Sequence, residues 1–530
     1  MIVKRATLLP TGLLATGSLL LGSLALTGCN VNSLKPSFLQ QDTVQAEAKK
    51  AEPKDPCLIY DDELASFAIP QADDLWSRFR SGFALEDHTH PRIEKYLAWY
   101  NKHPAHLEAV ANRGEVYLHF ILEKLDEQNL PYELALIPMV ESGFDPFAYS
   151  YATASGLWQF MPYTGKHLGL EQNWWYDGRR DVHASTEAAL TYLTKLNNAF
   201  DGDWLLALAA YNAGRGNVNK AIKRNKKRGK PTDFWSLDLP KQTEQYIPKI
   251  LALKEILLRP DLHNINLPPI ADAPYFALAQ TGGQLDLAQA AKLADVEIEE
   301  IYKLNPGFNR WATAPDGPHC IIVPAEKYDG FVSALSELPI EERVTWERYT
   351  VKQGDALINI AKRYRTTPQL LRDINNINGN NIRIGSTLLV PRASQDNHFY
   401  VLSSAERLKS KQAKGKGARI EYIVKSGDSF WEIAKQFNTT SARIASWNNM
   451  APRDTLRVGQ KLVIWDKSKA RDTTRKIRYT IRSGDSLARI ANKFGVTIRD
   501  LEHWNGINRK SILRPGKKLT VHVNVAETSS

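Results

Sequence analysis

Between Asp73 and about residue 265 the apolar positions recur at helical spacing, and beyond about 270 they give way to short alternating runs. Trp76, Phe79 and Phe83, then Ile93, Leu97 and Tyr100, then Val116, Phe120 and Leu125 share one period. The same period runs through 185–196, 204–211 and 243–258, so it predicts a mostly α domain over 71–268. No comparable period-two alternation interrupts it.

Three later segments of 43 residues, 349–391, 422–464 and 479–521, align with one another. Each opens on Tyr-x-Val or Tyr-x-Ile and reaches a Gly-Asp pair at the same offset: Gly354-Asp355, Gly427-Asp428 and Gly484-Asp485. An amphipathic stretch ends in Tyr364, Phe437 or Phe494, and an Asn stands 26 residues after each opening Tyr (Asn375, Asn448, Asn505). A Gly (385, 459, 516) and an apolar run close each copy. A fixed period of this length marks repeated supersecondary units, here β-α-α-β. Gly-Asp is expected to make the strand-to-helix turn, with the Asp carboxylate capping free amides of the first helix. A degenerate fourth unit is expected within 270–345, with Leu304-Asn305-Pro306 and Ile321-Ile-Val-Pro324 but no Gly-Asp turn. The stretches 392–421 and 465–478, rich in Lys, Arg and Ser, read as flexible linkers.

The amino terminus adds a compartment. Lys4 and Arg5 precede a small-residue apolar run that ends in Leu26-Thr27-Gly28-Cys29. That is a secretory signal over 1–28, too short for a comfortable membrane-spanning helix. Residues 29–70, polar and Pro-containing, read as a tether. With 530 residues the chain exceeds one core, and its three cysteines make neither a disulfide scaffold nor a metal site. Whether Cys57 and Cys320 bond stays open. His88, His90, His103 and His106 read as helix-surface residues, and no metal or other cofactor is expected. The net charge of +11 is uneven: from Thr345 onward 35 Lys and Arg face 15 Asp and Glu, while the rest of the chain is acidic. An exported chain meets no nucleic acid, so this charge suits a polyanionic surface such as cell wall or lipid head groups.

Against that frame Glu141 carries the chemistry. It ends an apolar run (Leu134, Leu136, Ile137, Met139, Val140) where Gly143 and Pro146 stop the helix. A carboxyl group there, roofed by Phe144 and Phe147, would be partly desolvated, and its raised pKa would suit a general acid. Acid chemistry is often shared with a second carboxylate. The nearest is Asp145, four residues on beside Pro146, and it reads as a turn residue. Ser142 lacks the Gly-x-Ser-x-Gly elbow of a serine hydrolase, and is expected to hydrogen-bond Glu141 or the substrate. Trp174 and Trp175 could equally stack on sugars or pack in the core.

The Leu-Thr-Gly-Cys ending resembles a bacterial lipobox, which implies acylation of Cys29 and, with Asn30 following, the outer membrane facing the periplasm. The 43-residue copies (the third carried to 522) resemble LysM modules, which bind N-acetylglucosamine-containing glycans. That resemblance implies contacts from Gly427, Asp428 and Ser429 in the second copy and Gly484, Asp485 and Ser486 in the third. The first copy departs from it with Ala356 in place of serine. Glu141-Ser142-x-Phe144, Gly156-Leu157-x-Gln159-x-Met161-Pro162, Ala210-Tyr211-Asn212-Ala213-Gly214 and Thr243-Glu244-x-Tyr246 follow in order. This set resembles the lysozyme-like domain of family-one lytic murein transglycosylases. The fold implied is multidomain: a mainly α lysozyme-like catalytic domain followed by small β-α-α-β LysM modules. The activity implied is cleavage of the β-1,4 bond between MurNAc and GlcNAc, without water. Glu141 serves first as acid and then as base, while the MurNAc C6 hydroxyl closes a 1,6-anhydro ring. Gln159, Met161, Tyr211, Asn212 and Tyr246 are implied to line the glycan cleft. The implied partners are peptidoglycan strands and, through Cys29, a membrane. A hydrolytic muramidase of the same fold and a non-catalytic wall-binding lipoprotein are the alternatives.

Overall fold

The computed structural model describes residues 74–396, 399–466, 474–508 and 511–524. The signal segment, nearly all of the tether region, Cys29 and Cys57 lie outside the described residues. Among the described residues the first named strand begins only at Phe276, so 74–265 is helical as its period predicts. Local sequence starts several of these helices. Asp181 and Asp203 accept hydrogen bonds from Ala184 N and Leu206 N at the heads of Val182–Ala199 and Trp204–Ala213. His90 caps Pro91–Asn101 and stacks on Trp235, while His103 stacks on Trp99. These histidines are helix-end and aromatic-contact residues. No cluster of His, Cys, Asp or Glu able to hold a metal occurs among the described residues.

The apolar faces meet in one core running from Leu75 and Phe79 through Trp158 and Leu190 to Tyr246 and Leu257. The same core takes in Leu278, Cys320 and Ile322 from the degenerate unit. Strands Phe276–Gln280 and Cys320–Pro324 of that unit pair antiparallel. Helices Leu287–Leu293 and Ile298–Leu304 lie between them in sequence. A second core joins the unit's other face to Trp175, Tyr176, Phe331 and Tyr400. Cys320 is disulfide-bonded.

Each of the three 43-residue copies is a β-α-α-β unit with its own small core. Their strand pairs share a register, with Tyr349 opposite Leu388, Tyr422 opposite Leu462 and Tyr479 opposite Leu519. The repeated Asn reads the backbone of the closing strand. Asn448 Nδ2 donates to Ile444 O and Val463 O (2.8 Å each), and its Oδ1 accepts Val463 N at 2.7 Å. Asn375 and Asn505 make the same three bonds, and so does Asn305 of the degenerate unit.

Two expectations change. The helix cap is not the Asp of Gly-Asp but the Ser after it: Ser429 and Ser486 accept Glu432 N and Arg489 N. The Asp instead clasps the turn, Asp428 Oδ2 accepting Tyr422 Oη at 2.8 Å and Lys425 N at 2.7 Å. Ala356 leaves the first copy without that side-chain cap. The stretch 392–421 is not a loose linker. Its helix Ser404–Gln412, capped by Ser403, is held at several points. The buried Tyr400 donates to Asp286, and Asn492 and Trp465 of the flanking modules bond to Glu406 and Gln412 O. Composition predicted a flexible linker; buried Tyr400, Ser403 and Glu406 make it a strap. The other stretch, 465–478, ends one strand at Asp466 and begins another at Thr474, with 467–473 outside the described residues.

Candidate active site

Glu141 is the last residue of the short helix Leu136–Glu141, whose Leu136, Ile137, Pro138 and Met139 are buried. The helix stops because Ser142 leaves helical geometry and Gly143 takes φ +57°. The loop that follows is held in costly conformations: Phe144, Thr153 and Gln159 have φ of +56°, +75° and +51° without being glycine. Gly156 is obligatory, since a Cβ there would stand 1.9 Å from the Arg179 carbonyl oxygen. The Ser142 hydroxyl ties helix end to loop, donating toward Pro138 O and Leu157 O at 3.0 and 2.9 Å. It is thus directed at backbone, not at Glu141.

The opposite wall comes from two longer helices. Trp204–Ala213 ends at Gly214, whose φ of +85° breaks it and leaves Tyr211 and Asn212 in the last turn. Lys241–Leu258 brings Thr243, the buried Tyr246 and Lys249 onto neighbouring positions of one face. Thr243 Oγ1 donates to Asn212 Oδ1 at 2.8 Å, which leaves the Asn212 amide NH2 for Glu141. The Tyr246 hydroxyl makes no hydrogen bond of normal geometry, yet lies close enough to act on Glu141 as a donor. Tyr211 Oη donates to Trp158 O at 2.8 Å, so its proton is committed to backbone while its charge state still feels Glu141.

These surroundings set the acid. Burial pushes the Glu141 carboxyl up to about 6, against the opposing pull of Tyr246, Asn212 and the Lys249 cation. Glu141 nevertheless keeps part of its surface open, as a group meeting substrate must. The expected aromatic roof is not the cause. Phe144 is buried against Tyr117 and Gly114, and Phe147 lies beneath the Arg407 guanidinium in the second core. Burial of Tyr246 and Tyr211 raises their phenols well above the usual range, so both stay neutral. Among the described residues the only other charge acting on Glu141 is Lys249. Asp145 is exposed and spends Oδ1 on Phe147 N at 2.9 Å, forming a turn.

Of the residues expected around the acid, Asn212 and Tyr246 act on it directly and Tyr211 electrostatically. Gln159 bonds within its own loop, Nε2 donating to Gly156 O at 2.8 Å. Met161 is exposed at the head of the next helix. Trp175 is buried, and Trp174 lies under Arg310, 3.7 Å from guanidinium to ring centre. Sequence reasoning quoted Thr243 within a motif without giving it a place at the site, and missed Lys249 altogether. Their spacing of three from Tyr246 on one helix was the available signal.

In the second module Gly427 and Asp428, with Glu432 and Lys435, line an open depression of about 530 Å³. Trp431 beside them is exposed, with Lys435 Nζ 5.3 Å from its ring centre. The equivalent turn of the third module is less free, because Ser486 Oγ contacts Glu299 Oε1 of the degenerate unit at 3.3 Å.

Comparison with known proteins agrees with this layout. Residues 120–234 match the Transglycosylase SLT domain, and 349–391, 422–465 and 479–522 match the LysM domain. Residues 276–340 match the LysM-like domain of lytic transglycosylase MltD. The chain is 35% identical over 419 residues to membrane-bound lytic murein transglycosylase D of Escherichia coli K12, covering 76% of this chain and 87% of that one. It is 34% identical over 187 residues to an autolysin of Enterococcus faecalis, covering 33% and 24% respectively.

Proposed function

The chain belongs to the family of membrane-bound lytic murein transglycosylase D, and on that premise we propose that Glu141 is its catalytic acid and base. The protein is a lytic murein transglycosylase that binds peptidoglycan through its LysM modules. The observation that carries the assignment of Glu141 is its half-buried carboxyl, pushed up to about 6 among neutral donors with no second carboxylate among the described residues acting on it. Protonated, it delivers a proton to the oxygen linking MurNAc C1 to GlcNAc, and that bond breaks. The carboxylate left behind takes the proton of the MurNAc C6 hydroxyl as this oxygen bonds to C1. A 1,6-anhydro end results, the acid is restored and no water is consumed. Asn212 and Tyr246 stabilise the carboxylate between the two steps, and Lys249 adds a more distant positive charge. Ser142, Gln159, Met161 and Tyr211 shape the cleft, the first two by fixing its loop.

Wall binding falls to the turns at Gly427, Asp428 and Ser429 and at Gly484, Asp485 and Ser486. Membrane association follows from the family. The finer reading is a lipid chain on Cys29 holding the enzyme to the outer membrane, facing the periplasm. Mass analysis of released muropeptides tests the reaction: anhydro ends are expected, and reducing ends would replace this reading with hydrolysis. Glu141→Gln is expected to slow release by about 10²–10⁴-fold. The rate should fall as pH rises through about 6, and Asn212→Ala should move that fall upward, because Asn212 holds the carboxyl down.

A further inference from the structure

A second cavity, of about 820 Å³, is lined by residues that do not include Glu141. Its walls come from the loop 145–155, the segment 172–180, Glu299 and Asn309 of the degenerate unit, the strap (401–414) and the third module (488–499). That volume is in the range that encloses a small ligand. The charge of the walls is lopsided. Asp177 is committed to Arg179 through bonds of 3.0 and 2.9 Å, and Asp145 to its own turn. Arg180 also reaches Asp177, at 3.8 Å, and three further cations remain, Arg407, Lys411 and Lys414, with Arg499 lining the cavity from the third module.

Two of these are built in, not merely exposed. The Arg180 side chain is 11% exposed; its Nη2 donates to Asn309 Oδ1 and lies 3.8 Å from Asp177 Oδ2, while its Nε is buried without a partner. Arg407 lies over the Phe147 ring at 4.7 Å and bonds only a backbone oxygen, that of Leu402. Burial, then repulsion from Arg180 and from the nearby Arg310, lowers the Arg407 guanidinium well below its ordinary value. Gathering guanidinium groups in a recess is unfavourable unless an anion joins them. One wall has the opposite sign: Glu299 keeps Oε2 buried and unpartnered.

We propose that this cavity binds a short peptide carrying several carboxylates and an amine, the chemistry of the peptide stems that hang from peptidoglycan strands. Carboxylates meet Arg180, Arg407 and the cations around them, and the amine meets Glu299. The proposal rests on the reading of the chain as a peptidoglycan enzyme. The loop 145–155 begins four residues after Glu141, so cleft and cavity share a wall, and a stem attached to the sugar being cut has a short path between them. A recess walled by six stretches of chain, Asn449 of the second module among them, suits a peptide better than a flat bilayer.

The test uses the full chain on two substrates: glycan strands bearing their peptides and strands stripped of them. The variant K411Q/K414Q/R499Q removes three exposed cations and none of the catalytic groups. Cleavage of peptide-bearing strands is expected to fall about tenfold, with that of stripped strands unchanged. Arg407→Gln should reproduce the split, and because Arg407 is largely buried its melting temperature is measured alongside. Equal loss on both substrates, or no loss on either, overturns the proposal. Failure of the wild-type chain to cut either substrate overturns the underlying transglycosylase reading instead. Vesicles containing phosphatidylglycerol are the second arm. If the triple variant loses vesicle binding while keeping its preference for peptide-bearing strands, these cations serve a membrane and the proposal fails.

Discussion

The degenerate unit at 276–324 and the module at 422–464 are built alike and used differently. Both have two antiparallel strands, two short helices and an asparagine that reads the closing strand. In the module the apolar residues form a private core, and the turn at Gly427 stays open. In the degenerate unit the core is shared: one face joins the helical domain, the other takes Trp175, Phe331 and Tyr400. Where the module caps its first helix with the exposed Ser429, this unit caps it with the buried Asp286, bonded by Tyr400 and Ser394 N. One scaffold thus serves as cement in the first case and as a hand in the second. Which role it takes depends on whether the turn after its first strand is buried.

The largest test is where the chain can be cut. Truncation after Val344 removes Tyr400 and leaves Asp286 buried without its phenol, at an expected cost to the helical domain of about 3 kcal/mol or more. Truncation after Gly417 keeps the strap. It should leave the melting of the helical domain and turnover of soluble fragments intact while weakening sacculus pull-down, since linked modules act through effective concentration. If both truncations melt alike, the degenerate unit is not cement.

The shared asparagine sharpens the contrast. Asn305→Ala and Asn448→Ala each orphan backbone groups at a buried site, and each should cost about 2–3 kcal/mol. For Asn305 the loss should appear in the main calorimetric transition and in activity. For Asn448 it should appear as a separate early transition with activity on soluble fragments unchanged. A 43-residue unit sits near the lower limit of about 40 residues for folding alone, so such a transition is expected to be low.

A smaller effect belongs to the helical domain alone. The Glu141 carboxyl stands at about 6 in the fold, above its ordinary 4.5. Burial penalises the ionised form, so stability present at low pH is lost as pH rises through 6. Glu141→Gln should therefore stabilise the main transition by up to about 2 kcal/mol at pH 8 and by nothing at pH 4. The smallest change is Ala356→Ser, which restores the cap missing from the first module and should raise that module's own stability by about 1 kcal/mol.

Much of this was legible in the chain. The helical period, the 43-residue repeat and the neighbourhood of Glu141, Asn212 and Tyr246 all follow from spacing or resemblance. What escaped depended on contacts distant in sequence. Phe144 and Phe147 looked like a roof because they are close in sequence, but a backbone with φ +56° at Phe144 turns that ring into the core. The Asp of each Gly-Asp pair looked like a helix cap, and only the Tyr hydroxyl six residues earlier shows why it turns away. The strap looked unstructured because its sequence is basic. The residues that hold it, Tyr400, Ser403 and Glu406, are few and answer to partners far along the chain.

That strap has a consequence for how the chain meets a protease. From Arg407 to Lys411 the helix Ser404–Gln412 offers three basic residues within five positions, a dense run of bonds for a trypsin-like protease. Cleavage needs a locally unfolded strand, and a helix docked along its length exposes one only when the docking opens. Brief digestion should therefore spare this stretch despite its composition. A nick there would report that the third module had let go of Glu406.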